Sequence, residues 1–359
     1  NDVVLDTIRL VQTTRKLLVS TTAIDWTSGN FSMIDGDNFS ASNNLSPIHS
    51  DNVAGAYGQA GYILERLGAD NIIRIEADGQ MAYQQNIGAG VNVQDIACAN
   101  QTSAFLTLFQ SDQLLVFNPE QGEVTDSIDL SGYVSYAHTD SAEQYPFTGP
   151  AHVYQSKLLV ACQRLKSVPS DWGTSYVPGD TSLILVIDVV SHEVITSIPL
   201  LKKNPVSLDM FHNTLYVGCA GDPYDPTDGG IEKISLSNLE HEGVVVEESL
   251  FDGNISSLVA VSDSKLFVSV GKNIGNTYWT DIVSCDPSEG SVSAPIENID
   301  NAFGGIAYDG IHVYVGDRSE ESPGVVVIDP KDGSVVEGPI DTGLPPMSIG
   351  VIVIDQENE

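Results

Sequence analysis

Four short apolar stretches follow one another late in the chain: Gly305-Ile306-Ala307-Tyr308, Val313-Tyr314-Val315-Gly316, Val327-Ile328-Asp329 and Ser334-Val335-Val336-Glu337. The last two are joined by Asp329-Pro330-Lys331-Asp332-Gly333. Its proline fixes φ at the second turn position and its glycine accepts positive φ, which is typical of a hairpin turn. The segment therefore predicts four short antiparallel β-strands.

The same pattern occurs seven times, and its second stretch is the easiest to recognise. The other six copies are Leu17-Leu18-Val19-Ser20, Tyr62-Ile63-Leu64-Glu65, Phe105-Leu106-Thr107-Leu108, Leu158-Leu159-Val160-Ala161, Leu215-Tyr216-Val217-Gly218 and Leu266-Phe267-Val268-Ser269. The turn recurs as Asn118-Pro119-Glu120-Gln121-Gly122 and Asp286-Pro287-Ser288-Glu289-Gly290. A repeat of about 45 residues without long helical periodicity is typical of a β-propeller. Two β-sandwiches, the alternative, predict no uniform repeat.

We therefore predict an all-β fold, a single seven-bladed β-propeller of four-stranded antiparallel blades over residues 1–359. The predicted blades are centred near 17–45, 62–88, 105–130, 158–200, 215–250, 266–299 and 313–342. Pro345-Pro346-Met347-Ser348-Ile349 matches the innermost-strand pattern of Asn204-Pro205-Val206-Ser207-Leu208. We expect a strand at 345–354 to join the first blade and close the ring through the two chain ends. The contribution of Asp2–Leu10 is left open.

Composition excludes several classes of function. The chain has 49 Asp and Glu against 15 Lys and Arg, a net charge of −34. Such a field repels nucleic acid and anionic membranes, whereas 42% hydrophobic residues exclude disorder. No run of about 18 apolar residues predicts a transmembrane helix, and the first residues have no signal-peptide pattern, so a processed or truncated start is expected. A monomer is expected.

The four cysteines are Cys98, Cys162, Cys219 and Cys285. They form no CxxC pair, so neither a zinc site nor a dense disulfide framework is expected. We expect small buried hydrophobes, with one disulfide as the alternative.

The repeated strand and the Ile-Asp-Pro-x-x-Gly turn resemble those of YVTN/YncE-like surface propellers. Ile48-His49-Ser50-Asp51, followed by Arg66-Leu67-Gly68-Ala69-Asp70-Asn71-Ile72, is similar to an extracytoplasmic bacterial branch that includes outer-membrane lipoproteins. The resemblance implies an extracytoplasmic location. Some relatives partner TonB-dependent transporters and one group captures cobalamin, so it also implies a corrinoid or metal chelate as a ligand.

Candidate binding residues lie in loops predicted to share one face of the propeller. From Asn118 to Asp188 there are 70 residues, against 42 from Glu76 to Asn118, and the surplus falls in insertions at 132–151 and 166–181. Aromatic residues in loops suit a flat ligand, whereas the alternative is that they form a local core. The aromatic and histidine candidates are Tyr136, His138, Trp172, Tyr176, Tyr224, Tyr278 and Trp279, and Tyr145 and Phe147 fit either role equally well.

Polar candidates are His49, Asp51 and Arg66, with Arg318 in the last blade. A ligand-binding role competes with a structural one, in which Asp51 or Asp70 pairs with Arg66, and a structural role is favoured for Arg66. For Arg318 the alternative is a solvated ion pair with Glu320 or Glu321.

The predicted function is non-enzymatic capture of a small molecule, handed to an outer-membrane receptor. One alternative is a surface-layer or adhesive protein, and another is a lyase or hydrolase that uses His49 or His138 with a metal. No cofactor is expected; the Asp222, Asp225 and Asp228 loop offers a Ca²⁺ site as the alternative to a solvated turn.

Overall fold

The computed structural model describes residues 12–137, 144–170, 173–274 and 277–356. Within these ranges the chain forms seven four-stranded antiparallel sheets and one additional hairpin. The predicted fold is confirmed. No helix of the described residues is both long and apolar enough to cross a membrane.

The first three blades use eleven strands and the last strand of the chain. Blade 1 is β30 (Pro346–Gln356), β1 (Gln12–Thr22), β2 (Gly29–Asp35) and β3 (Ala41–Ile48), from the innermost strand outward. Blade 2 is β4 (Asn52–Tyr57), β5 (Ala60–Glu65), β6 (Asn71–Glu76) and β7 (Met81–Asn86). Blade 3 is β8 (Val93–Asn100), β9 (Ser103–Leu108), β10 (Gln113–Asn118) and β11 (Glu123–Asp129).

The other four blades follow the chain order. Blade 4 is β12 (Thr148–Tyr154), β13 (Lys157–Cys162), β16 (Leu183–Asp188) and β17 (Val194–Pro199). Blade 5 is β18 (Pro205–Phe211), β19 (Thr214–Cys219), β20 (Gly230–Ser235) and β21 (Glu240–Glu247). Blade 6 is β22 (Asn254–Ser262), β23 (Lys265–Ile274), β24 (Thr277–Asp286) and β25 (Ser291–Val292). Blade 7 is β26 (Ile306–Tyr308), β27 (Val313–Asp317), β28 (Gly324–Ile328) and β29 (Val335–Ile340).

The insertion expected at 166–181 does not form an open loop. It forms β14 (Leu165–Ser170) and β15 (Gly173–Pro178), which pair as a hairpin between the second and third strands of blade 4.

The described part of the chain has a core of seven hydrophobic clusters, and each lies between two neighbouring blades. The second strand of a blade contributes to both of its interfaces, because side chains alternate across a strand. In blade 4, Leu158 and Val160 face blade 3, whereas Leu159 and Ala161 face blade 5. All four cysteines are free and buried, so the alternative of a disulfide is wrong.

Closure of the ring is carried by β30. It pairs antiparallel with β1 along its length, from Gln12 with Gln356 to Thr21 with Pro346. It also contacts β4 of blade 2 and β26 of blade 7, so the innermost strands form an unbroken circle. The expected closing strand is therefore confirmed, with its start at Pro346.

Two adjacent residues of β30 test this packing. Ile352 is fully buried between blades 1 and 2, whereas Val353 is 39% exposed. We expect Ile352→Ala to lower the free energy of unfolding by about 2–5 kcal/mol, through lost burial and the cavity left behind. Val353→Ala should change it by about 0.5 kcal/mol or less. Urea denaturation measures both, and equal losses would contradict the assignment of β30 to the core.

Candidate functional site

Two sets of connections leave the propeller on the same face. Strand direction alternates within each blade, so the loops between second and third strands emerge at the same end as the connections between blades. We call this end the loop face. It carries the connection 49–51, the loops 23–28, 66–70, 220–229 and 318–323, and the β14–β15 hairpin.

A pocket of about 530 Å³ opens on the loop face where blades 1, 6 and 7 meet. We call it the closure pocket. Blade 1 contributes Trp26, blade 6 contributes Tyr278 and Trp279, and Phe303 lies in the blade 6–7 connection. Arg318 follows β27 directly. The remaining lining residues are Ile24, Asp300, Asn301, Ser319, Glu320 and Glu321.

Aromatic rings in the closure pocket meet edge to face. The ring centroids of Trp26 and Phe303 are 6.4 Å apart and those of Tyr278 and Phe303 are 5.7 Å apart. Trp26 and Tyr278 remain 46% and 45% exposed, respectively. The rings therefore support one another while offering apolar surface to a ligand.

Arg318 lies between two of these rings. Its guanidinium carbon is 5.4 Å from the Trp26 ring and 6.0 Å from the Phe303 ring, and its side chain is only 6% exposed. Nη1 donates hydrogen bonds to the carbonyl oxygens of Pro345 (3.2 Å) and Pro346 (2.9 Å). Burial lowers the pKa of Arg318 to about 10, so the group remains a cation at neutral pH.

No carboxylate pairs with Arg318 in the described part of the chain. The other four described arginines each pair with one: Arg15 with Asp309, Arg66 with Asp51, Arg74 with Glu76 and Arg164 with Asp180. The expected alternative, an ion pair of Arg318 with Glu320 or Glu321, is not formed. Although the protein has 49 acidic residues, no carboxylate of the described residues neutralises the charge of this guanidinium.

The neighbouring carboxylate of Asp317 is already occupied. It is buried and accepts hydrogen bonds from the backbone N–H groups of Asp300, Asn301 and Ser319. These bonds tie the blade 6–7 connection to the β27–β28 loop. Asp317 therefore shapes the pocket wall and does not neutralise Arg318.

The ring of Tyr278 lies across β23 at Gly271. A Cβ atom at Gly271 would overlap the Tyr278 hydroxyl, so only glycine leaves room for the ring in this position. Tyr278 also lines a second pocket of about 800 Å³ beside Tyr224 and Pro226. Its ring therefore forms a wall between the two pockets.

Tyr176, proposed as a ligand contact, instead belongs to a local aromatic core. The ring centroids of Phe109 and Tyr176 are 5.0 Å apart, and those of Phe147 and Tyr176 are 5.6 Å apart. Phe147 is 1% exposed and also contacts Tyr145 and Phe109. Gln110 Nε2 donates a hydrogen bond to the Tyr176 hydroxyl at 3.0 Å. These aromatic residues therefore form a local core, as the alternative in the sequence analysis states. This core supports the long connections of blades 3 and 4.

The polar group expected around His49 is an ion pair between the 49–51 connection and the 66–70 loop. Arg66 donates from Nε (2.8 Å) and Nη2 (2.6 Å) to Oδ1 of Asp51. The backbone N–H of Asp51 donates to Nδ1 of His49 at 3.1 Å, and buried Asp70 accepts from the N–H groups of Gly90 and Asn92. These contacts are those of the structural role for Arg66, in which its guanidinium pairs with Asp51.

The Asp-rich loop of blade 5 has its carboxylates turned onto its own backbone. Asp222 accepts from the N–H of Tyr224, Asp225 accepts from Thr227, and Asp228 accepts from the N–H of Asp222. Nowhere in the described ranges do three or more His, Cys, Asp or Glu side chains converge as a metal site. The hydrogen bonds of the three carboxylates within this loop are those expected of a solvated turn.

The remaining candidates do not join the closure pocket. Tyr136 is 66% exposed and Tyr224 is 71% exposed, with its hydroxyl 3.4 Å from Ser175 Oγ. His138 and Trp172 lie outside the described residues. Of the proposed residues, the structure brings together Tyr278, Trp279 and Arg318.

Sequence reasoning missed Trp26 and Phe303. Trp26 lies in the loop between the second and third strands of blade 1, on the same face as the longer loops, but this loop is short and was not singled out. Phe303 lies in the connection between blades 6 and 7. Both residues could have been found with the rule that places Arg318 on this face. That rule puts every loop between second and third strands and every connection between blades at the same end, irrespective of loop length.

Comparisons with known proteins show the fold. No protein-family model and no curated protein matches the sequence, so membership of the YncE-like family stays an expectation from its motifs. Among solved structures, apo AztD from Citrobacter koseri has a TM-score of 0.53 at 11% identity, covering 95% of this chain and 99% of that one. Kuenenia stuttgartiensis hydrazine synthase has a TM-score of 0.61 at 14% identity, covering 86% and 95%. Dihydro-heme d1 dehydrogenase NirN in complex with DHE has a TM-score of 0.54 at 13% identity, covering 92% and 73%.

Substitution of Gly271 tests how the pocket wall is built. We expect Gly271→Ala to rotate the Tyr278 ring away from β23 and to break its edge contact with Phe303, because a Cβ atom occupies the place of the hydroxyl. Gly132→Ala is the matched control, since a Cβ atom there meets nothing within 4 Å. Crystal structures of both variants provide the measurement. An unmoved Tyr278 ring in Gly271→Ala would refute this description of the wall.

Proposed function

We propose that the protein is a non-enzymatic binding protein and that the closure pocket holds a small molecule by an oxyanion and an apolar, flat part. The oxyanion faces Arg318, and the apolar part lies against Tyr278, Trp279 and Phe303. The observation that carries this proposal is Arg318, a residue that is 6% exposed and whose guanidinium has no carboxylate partner among the described residues.

An unpaired buried charge is costly, because desolvation removes water that no opposite charge replaces. Cation–π contacts with Trp26 and Phe303 and two carbonyl acceptors offset part of this cost for Arg318. Nε and Nη2 of Arg318 donate to no acceptor among the described residues, so their N–H groups are available to a ligand. A planar guanidinium presents such donors in the fork geometry that matches a carboxylate or phosphate.

The site is also held in place before any ligand arrives. Nη1 of Arg318 is fixed by the carbonyls of Pro345 and Pro346, and Tyr278 is fixed against Gly271. A preorganised site binds with little loss of conformational entropy in its own side chains. This arrangement of guanidinium and rings supports binding as the activity.

The finer expectations come from the sequence resemblance. It implies an extracytoplasmic location, a corrinoid or metal chelate as ligand, and transfer to a TonB-dependent transporter. The NirN structure, a similar fold in complex with DHE, is a precedent for a ligand-bound protein of this architecture. Cyanocobalamin therefore belongs in any set of ligands that is tested.

The first test uses 1-naphthoate, its neutral analogue 1-naphthamide, and cyanocobalamin. Two of the three tryptophans, Trp26 and Trp279, line the pocket, so binding should quench fluorescence in a Trp172→Phe background. We expect naphthoate to bind at least about tenfold more tightly than naphthamide, because only the carboxylate pairs with Arg318. Salt of about 1 M, where the Debye length is about 3 Å, reduces repulsion by the protein's negative surface.

Arg318→Gln should remove the preference for naphthoate while leaving naphthamide binding unchanged within about twofold. Arg15→Gln is the control, since Arg15 already pairs with Asp309 away from the pocket. The comparison of the two naphthalene ligands needs no change at Arg318, so it stands even where Arg318→Gln folds poorly. The proposal would be contradicted if no anionic ligand bound, or if naphthoate and naphthamide bound with equal affinity.

A further inference from the structure

Three carboxylates surround the mouth of the closure pocket. Asp300, Glu320 and Glu321 are exposed lining residues. Within the described ranges their side chains accept no hydrogen bond and form no ion pair. The mouth is therefore negative, while the buried group behind it is positive.

The two charges stay apart because of how Arg318 is held. Its side chain turns inward between Trp26 and Phe303 towards the carbonyls of Pro345 and Pro346, although Glu320 is only two residues away. An acidic rim and a buried, unpaired guanidinium are thus separate features of one pocket. The acidic rim alone would favour a cationic ligand, and the guanidinium alone would favour an anionic one.

Neither a simple anion nor a simple cation satisfies both features. An anion meets the guanidinium only after it passes three like charges, and their repulsion is significant within about 10 Å at ordinary ionic strength. A cation is attracted by the rim but leaves Arg318 without a partner. A molecule that carries both charges satisfies the rim and the guanidinium together.

The walls indicate which kind of positive group fits. The guanidinium of Arg318 lies over Trp26, whereas Tyr278 and Trp279 have faces that no described cation covers. Aromatic faces attract ammonium groups, and quaternary ammonium ions are the cations that aromatic cages typically bind. A primary ammonium is more strongly hydrated and would lose more on entering a pocket with apolar walls.

We propose that the ligand of the closure pocket is a zwitterion with an oxyanion and an alkylated ammonium group. The oxyanion pairs with Arg318, and the ammonium lies against Tyr278 and Trp279 beneath Asp300, Glu320 and Glu321. This inference rests on the proposed function and specifies its ligand class.

Three molecules of nearly identical shape test it on the intact chain. γ-Butyrobetaine carries both charges, 5,5-dimethylhexanoate replaces the ammonium by a neutral tert-butyl group, and γ-butyrobetaine methyl ester keeps only the ammonium. We expect the dissociation constant of the zwitterion to be at least about tenfold lower than that of either analogue. Calorimetry measures all three, and Trp172→Phe fluorescence gives a second reading.

Three sets of variants, two tests and one control, separate the acidic rim from the guanidinium. Glu320→Gln/Glu321→Gln should weaken the zwitterion at least about fivefold and leave the anionic analogue equal or tighter. Glu123→Gln/Glu289→Gln, which removes the same charge from exposed positions outside the pocket, should change neither. Arg318→Gln should weaken the zwitterion and the anion, but not the ester.

The outcomes also separate this inference from the proposed function. If 5,5-dimethylhexanoate binds as tightly as γ-butyrobetaine, or if the rim variant has no effect, the zwitterion is refuted while anion binding at Arg318 stands. If none of the three binds, the zwitterion is again refuted, and the naphthoate comparison decides the proposed function independently. If the ester binds as tightly as the zwitterion and Arg318→Gln changes nothing, both proposals fail.

Discussion

Burial of the second strand of each blade on both of its faces is the constraint on which the structure depends. Leu17 and Val19 pack against blade 7 while Leu18 packs against blade 2, and the same alternation is present in blade 4. Within the described ranges, every hydrophobic cluster lies between two blades and none lies inside one, so each blade is stable only between two neighbours. A ring satisfies this condition for every blade, and the pairing of β30 with β1 completes it.

The closure pocket is a consequence of that ring closure. The carbonyls that hold Arg318 belong to Pro345 and Pro346, at the start of the closing strand, while Trp26 comes from the opposite end of the chain. Tyr278 and Phe303 come from blade 6 and from its connection to blade 7. The candidate site therefore exists only when the two chain ends have paired, which couples its geometry to closure of the ring.

The sequence predicted the architecture well because repeats and turns are local signals. The strand at Val313–Asp317 and the turn at Asp329–Gly333 specify one blade, and seven copies specify a ring. The site was predicted only in part, because its members lie on different blades. Arg318 with Glu320 is a plausible ion pair in sequence, and only the fold shows that this guanidinium points inward. Tyr176 is equally plausible as a ligand contact until Phe109 and Phe147 surround it.

The central claim is that the guanidinium of Arg318 is the group that receives the ligand's oxyanion. The most direct measurement is the ¹H–¹⁵N NMR signal of arginine Nε–H during titration with γ-butyrobetaine, with Arg318 assigned through Arg318→Lys. The signal of Arg318 is predicted to shift and to sharpen as exchange with water slows, while those of the ion-paired Arg15, Arg66, Arg74 and Arg164 stay in place. An unchanged Arg318 signal under saturating ligand, or a shift confined to another arginine, would contradict the account.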